Sequence, residues 1–140
     1  MSEIKTLGYD WEFGHEELML EISSYQYGDR LYIGLNHLVE GQLESFADLT
    51  INLPYSPAEI NEAYIDEFAS KSKLDFIKKH KLGKVLPEEG HSGYGRYSKV
   101  AFDLDRLAEL DPKGMEQYRR LHGLSPQEPK KGKKSRGRAR

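Results

Sequence analysis

Histidines, serines and carboxylates in this chain fall at spacings that approach several catalytic patterns and complete none. Gly90-His-Ser-Gly-Tyr94 begins like the G-x-S-x-G turn that exposes a nucleophilic serine, but Tyr94 stands where the closing glycine is required. Gly93-Tyr-Gly-Arg-Tyr-Ser98 carries Ser98 in place of the third glycine of a dinucleotide loop. His15-Glu-Glu-Leu-Met19 opens like a zinc-protease helix, with Met19 in the second histidine's place. His15, His37, His80, His91 and His122 are far apart, and none has a partner of ligand type four residues on. Asp103, Asp105 and Asp111 could gather a divalent ion, but capping a helix or lying on a solvated edge is the simpler role for each. With no cysteine there is no thiol nucleophile, disulfide or iron–sulfur cluster. The residues therefore point to a non-enzymatic protein, with no catalytic residue, metal or cofactor assigned. A nuclease built on scattered Asp, Glu and His is the remaining catalytic reading.

What is left is recognition by charge. The 140 residues carry a net charge of −2, which hides a strong polarity. Met1 to Asp66 holds thirteen acids against two bases, Glu67 to Glu128 ten acids against twelve bases, and Lys130 to Arg140 seven bases and no acid. Such a field steers encounter with charged partners without dictating a fold. In the basic tail, Lys130, Lys131, Lys133, Lys134, Arg136, Arg138 and Arg140 could hold phosphates in a salt-sensitive, sequence-blind manner, or form a solvated terminus. Between His91 and Lys99, aromatics and cations interleave. Tyr94, Arg96, Tyr97 and Lys99 have the chemistry to stack on unpaired bases and neutralise phosphates, although alternation that buries one tyrosine explains the same pattern.

The elements that must position these groups are legible from periodicity. Glu17–Tyr25 sets Leu18, Leu20 and Ile22 against Glu17, Met19, Glu21 and Ser23, and Arg30–Leu35 alternates Leu31, Ile33 and Leu35. Gln26-Tyr-Gly-Asp29 suits the hairpin between them. Phe46–Leu53 alternates as a third strand and is stopped by Pro54 and Pro57. The wet face of this meander gathers Glu17, Glu21, Asp29 and Asp48. Fixed carboxylates there could imitate nucleic-acid phosphates and occupy a basic groove, or simply keep the protein soluble. The second half turns helical: Asp66 as cap of a helix from Glu67 to about His80, with Phe68, Leu74 and Ile77 inward, lysines outward and Gly83 as a left-handed cap. A glycine-rich loop over Pro87–Gly95 and a fourth strand over Arg96–Phe102 follow. Asp103 opens a short helix, and Asp111-Pro112 begins a last one that Gly123 closes. Met1-Ser-Glu-Ile-Lys-Thr lacks a signal-peptide pattern, and no apolar run reaches the ~20 residues of a membrane span, so a cytoplasmic location away from membranes is expected.

Four blocks in this order, Tyr27-Gly-Asp-Arg-Leu-Tyr-Ile-Gly-Leu35, Phe46-Ala-Asp-Leu-Thr-Ile-Asn-Leu-Pro54, Asn61-Glu-Ala-Tyr-Ile-Asp66 and Phe102-Asp-Leu-Asp-Arg-Leu-Ala-Glu-Leu-Asp-Pro112, resemble a small uncharacterised bacterial family carried on conjugative elements and plasmids, often near anti-restriction genes. The resemblance covers roughly residues 26–118 and brings no catalytic residues. It implies mobile-element cargo, a class in which inhibitors of host defence are frequent. The resulting expectation is an α+β fold. An antiparallel sheet of four or more strands carries two or three helices from the second half on one face. Residues 1–125 form a single domain, and residues 126–140 a disordered basic tail. The expected function is inhibition of host defence, anti-CRISPR or anti-restriction, by binding a protein or protein–RNA effector, with RNA or DNA contact through the basic half and tail. The alternative is a nucleic-acid-binding accessory of plasmid transfer or maintenance.

Overall fold

The alternating run around Leu18, Leu20 and Ile22 forms the centre of the longest strand of the computed structural model, which describes residues 5–66, 72–92 and 95–124. In chain order the elements are β1 (Leu7–Trp11), β2 (Gly14–Ser24), β3 (Leu31–Val39), β4 (Gln42–Asp48), β5 (Thr50–Ile51), β6 (Glu62–Ile65), α1 (Ser72–Lys79), β7 (Gly83–Ser92), β8 (Gly95–Phe102), α2 (Leu104–Leu110) and α3 (Pro112–Leu121). The class is α+β, as expected. The strands divide into two four-stranded antiparallel sheets, ordered β1-β2-β3-β4 and β5-β6-β8-β7.

The run read as a single third strand changes sheets. β4 pairs with β3, β5 pairs with β6, and the step between them is Leu49, which is fully buried. The Leu49 N–H donates to the Ile33 carbonyl and its carbonyl accepts from the Asp66 N–H. Thr50 follows, also buried, its hydroxyl accepting from the Ile33 N–H and meeting the Tyr25 hydroxyl at 2.8 Å. A buried polar residue at a strand corner is satisfied here from both sides.

Inward residues of both sheets share one core, including Leu18, Ile33, Leu35, Ile65 and Val100, and the helices close it. α1 packs on β1 and β7, burying Phe76 and Ile77, with the Phe76 ring edge-on to Tyr9. α3 packs on β2 through Asp111. The backbone N–H of Asp111 donates to the Leu107 carbonyl and ends α2, while its carboxylate accepts from Gly114 and caps α3. The same carboxylate accepts from the Ile22 N–H at 2.8 Å, on the stretch of β2 beyond the reach of β1. A Cβ on Gly114 would collide with the Asp111 carboxylate and the Ile22 carbonyl, so this approach requires glycine.

Three local expectations change. The cap at Asp66 cannot be placed on a helix, because Glu67 and Phe68 lie outside the described residues, and α1 begins at Ser72. The left-handed position after α1 is Lys81, with φ 57°, while Gly83 opens β7 opposite Phe102. The glycine-rich loop is largely strand: β7 runs through Pro87 and Gly90 to Ser92, and a shift in register between Val85 and Glu89 takes up the proline, whose missing N–H could not join a ladder. β1 and β6 complete the sheets without having been foreseen. Among the described residues no helix is long and apolar enough to cross a membrane.

Asp111→Ala removes a helix cap and strands the Ile22 N–H, and should cost about 2–3 kcal/mol in urea unfolding. Asp111→Asn keeps an acceptor and should lose less. Equal midpoints for wild type and Asp111→Ala would show that the α3–β2 contact carries no stability.

Candidate functional site

The outer face of the first sheet is where carboxylates converge. Alternation along β2 points Glu17 and Glu21 away from Leu18, Leu20 and Ile22. Register then brings in the neighbouring strands: Glu21 lies opposite Gly34, and Gly34 opposite Asp48, so Glu21 and Asp48 flank a bare glycine two strands apart, at ~10 Å. The Tyr32 ring folds back over Gly34, where a Cβ would strike its hydroxyl, and that hydroxyl donates to Asp48 Oδ1 at 2.8 Å. Burial, and then the Asp48 carboxylate, push the Tyr32 hydroxyl far above its ordinary pKa, so it remains a donor. On the other side, Asn36 Nδ2 donates to Glu21 Oε1 at 3.1 Å.

Toward the β1–β2 turn, His15 sits between two carboxylates. Its Nδ1 is 2.6 Å from Asp10 Oδ1 and its Nε2 is 2.6 Å from Glu17 Oε2. The ring occupies the space over Gly8, where a Cβ would lie 2.9 Å from His15 Cε1. Lys79 reaches Asp10 Oδ2 at 3.3 Å, and Thr6 donates to Glu17 Oε1 at 2.9 Å. Hydrogen bonds to Asp10, then to Glu17, raise His15 above its ordinary value, and the ring in turn lowers both carboxylates. Glu17, Glu21, Asp48 and Asp10 are thus each oriented by at least one donor. The array presents anionic acceptors at set positions; it holds no nucleophile paired with a base. Among the described residues no group of three or more His, Asp or Glu is disposed to bind a metal ion.

Asp29 stands apart from this face. It occupies the β2–β3 turn at φ 55°, and its carbonyl accepts from His122 Nε2 at 2.8 Å. The proposed base-stacking strip is also divided. Arg96 is exposed, its guanidinium 4.0 Å from Glu89, and alternation along β8 turns it away from Tyr97 and Lys99. Tyr97 lies over Gly95. Lys99 is buried, 3.2 Å from Glu62 and 5.8 Å from the Tyr64 ring centre. Burial pulls the Lys99 ammonium down, but the contacts to Glu62 and Tyr64 outweigh it and hold the group above its usual pKa. Lys99 is committed to Glu62 rather than to solvent. Tyr94, and Lys130, Lys131, Lys133, Lys134, Arg136, Arg138 and Arg140, lie outside the described residues. Asp10 and His15 were missed as members of the acidic face. The signal was present in Leu7-Gly-Tyr-Asp-Trp11, whose alternation continues across a turn at Glu12–Phe13 into β2.

The His15 bridge sets a pH dependence. A histidine raised by folding contributes stability that is full below its unfolded value, 6.5, and is lost as pH rises through the higher folded value. The lowered Asp10 and Glu17 contribute above their ordinary values, 3.8 and 4.5, and lose that contribution as pH falls through the depressed ones. The thermal midpoint of wild type relative to His15→Gln should therefore be greatest between about pH 4.5 and 6.5 and should shrink as pH rises past the folded value. Nuclear magnetic resonance of the ring should give a midpoint above 6.5; a value at or below it would mean that His15 does not bridge the carboxylates in solution.

No curated protein and no solved structure matches the chain. The family described as Domain of unknown function (DUF4313) matches residues 19–121, from the outer-face run of β2 to the last residue of α3. Those residues include β2 from Met19 onward, β3 to β8, all three helices, and Glu21 and Asp48 of the acidic face; Asp10, His15 and Glu17 precede them. The chain belongs to the DUF4313 family.

Proposed function

We propose that this protein is a non-catalytic, mobile-element-encoded inhibitor of host defence that docks its acidic sheet face against the nucleic-acid-binding groove of a defence effector, protein or protein–RNA complex, in the cytoplasm. The observation that carries the reading is the fixed geometry of Glu17, Glu21 and Asp48. Each is held by a neighbouring donor on one face of a sheet, so the anionic pattern is set before any partner arrives. Charge alone would be a diffuse attraction; carboxylates locked at set spacings can compete with phosphates for particular arginines and lysines. Asp10 joins the pattern, and Asp29, in the β2–β3 turn, is not part of it. Arg96 and the basic tail supply the contact to guide RNA or DNA in this picture.

The test is protection in cells. Expression should restore phage plating or plasmid establishment in a host carrying a CRISPR or restriction system. The triple variant Glu17→Gln, Glu21→Gln, Asp48→Asn should lose about tenfold or more of its affinity for the purified effector. Because the amides keep size and a hydrogen-bonding oxygen, the variant should still fold, losing about 1 kcal/mol or less with the His15–Glu17 pair. Glu59, Glu88 and Glu116, exposed and away from this face, form the control set. Equal losses from both sets would reduce the effect to bulk charge. Effector binding unaffected by either set, or no protection by wild type, would remove the inhibitor reading and leave the plasmid-accessory alternative in first place.

A further inference from the structure

A second surface has the opposite chemistry. Between the C-terminal end of α1 and the paired start of β7 and end of β8 lies an open groove of about 730 Å³, within the roughly 300–1,000 Å³ of ligand-sized clefts. Lys78, Lys81 and Lys84 border it, over a floor of Val85, Ala101 and Phe102. Three other lysines of this half are engaged: Lys73 with Asp66, Lys79 with Asp10, Lys99 with Glu62. Among the described residues, the ammonium groups of Lys78, Lys81 and Lys84 have neither an ion pair nor a hydrogen bond. Three uncompensated cations on one groove repel one another, a cost that an anion would remove.

Two alternative uses for these lysines are already met by other groups. The last carbonyls of α1, which commonly attract cations, accept backbone N–H groups: His80 bonds to Phe76, Leu82 to Ile77 and Lys81 to Lys78. Asp103, the carboxylate in the lining, is turned to the N–H groups of Asp105 and Arg106 as the cap of α2. The backbone that presents the lysines is also constrained. Lys81 is held at φ 57°, and Gly83 is packed so closely that a Cβ would lie 2.7 Å from the Ala101 carbonyl. This frame sets where the backbone carries Lys81 and Lys84 beside the groove, while their flexible stems leave the ammonium groups free to reach an anion.

We propose that this groove binds phosphate groups, those of a nucleic-acid strand or of a free nucleotide, with Lys78, Lys81 and Lys84 as the contacts. The site shares no residue with the acidic face and stands whether or not that face binds an effector. In the full-length chain, labelled oligouridylate and ATP are titrated separately, with resonance shifts and fluorescence anisotropy as readouts. Both probes should shift the amides of residues 78–85 and 101–103 if the groove takes isolated phosphates; only the oligonucleotide should do so if it tracks a strand. The variant Lys78→Gln, Lys81→Gln, Lys84→Gln should weaken oligouridylate binding roughly tenfold at low salt. It should also flatten the logarithmic salt slope by about 2, since each phosphate contact on a single strand contributes ~0.7. Shifts confined to other residues, or a slope unchanged in the variant, would overturn the proposal and assign any binding to the tail. If the variant fails to fold, the wild-type shift map decides alone.

Discussion

The fold depends on the corner at Leu49 and Thr50, where one run of chain leaves the first sheet and enters the second. A strand that changes sheets must satisfy its backbone in two directions at once, in the driest part of the molecule. Leu49 does so by donating to Ile33 in the first sheet and accepting from Asp66 beside the second. Thr50 completes the turn with its hydroxyl, taking the Ile33 N–H that no strand partner supplies and meeting Tyr25. With this seam closed, the inner faces of both sheets look into a common core. The outer face of the first sheet is therefore backed by packed side chains. That rigid backing makes the positions of Glu21 and Asp48 meaningful as a pattern.

The polarity of the sequence is only partly relaxed by folding. Lys79 of α1 reaches Asp10 of β1, Lys73 reaches Asp66, and Lys99 of β8 pairs with Glu62 of β6, so basic groups of the second half come to rest on acids of the first. The exposed members of this set contribute little energy, about 0–1 kcal/mol each. Of these pairs, Lys79–Asp10 links α1 to β1. What they leave over is separated in space: carboxylates on the wet side of one sheet, unpaired lysines at the end of the other.

Parts of this arrangement were legible because local chemistry decides them. The alternation of Leu18, Leu20 and Ile22 fixes which way Glu17 and Glu21 face, and Asp103 and Asp111 cap their helices as short-range hydrogen bonding demands. The rest depends on contacts between distant residues. β6, Glu62–Ile65, is four residues long, and Ala63, Tyr64 and Ile65 are all buried, so no alternation marks it. Gly83, Pro87 and Gly90 disguise β7 as a loop, because pairing with β8 and a local register shift outweigh their poor strand propensity. Lys99 reads as a phosphate contact until Glu62 is brought beside it by a strand 37 positions earlier in the chain. The lysine groove is invisible for the same reason: Lys78 lies on α1, Lys81 at its exit and Lys84 on β7, and only the pairing of β7 with β8 supplies the floor.

The irregularity between β3 and β4 has a consequence for how the molecule behaves in a crowd of its own copies. β4 is the last strand of its sheet, and strands so placed are templates for runaway pairing between chains. Here the register breaks between Leu35 and Asn36, so that Ala47 and Ser45 oppose consecutive residues and Phe46 is left over. A second chain laid along β4 would meet a regular ladder only over Gln42–Ser45, with the Glu44 carboxylate in the middle of it. A template of four residues carrying a charge is too short to propagate a stacked sheet, which protects a protein with Leu38 and Leu43 exposed on that hairpin from polymerising through it.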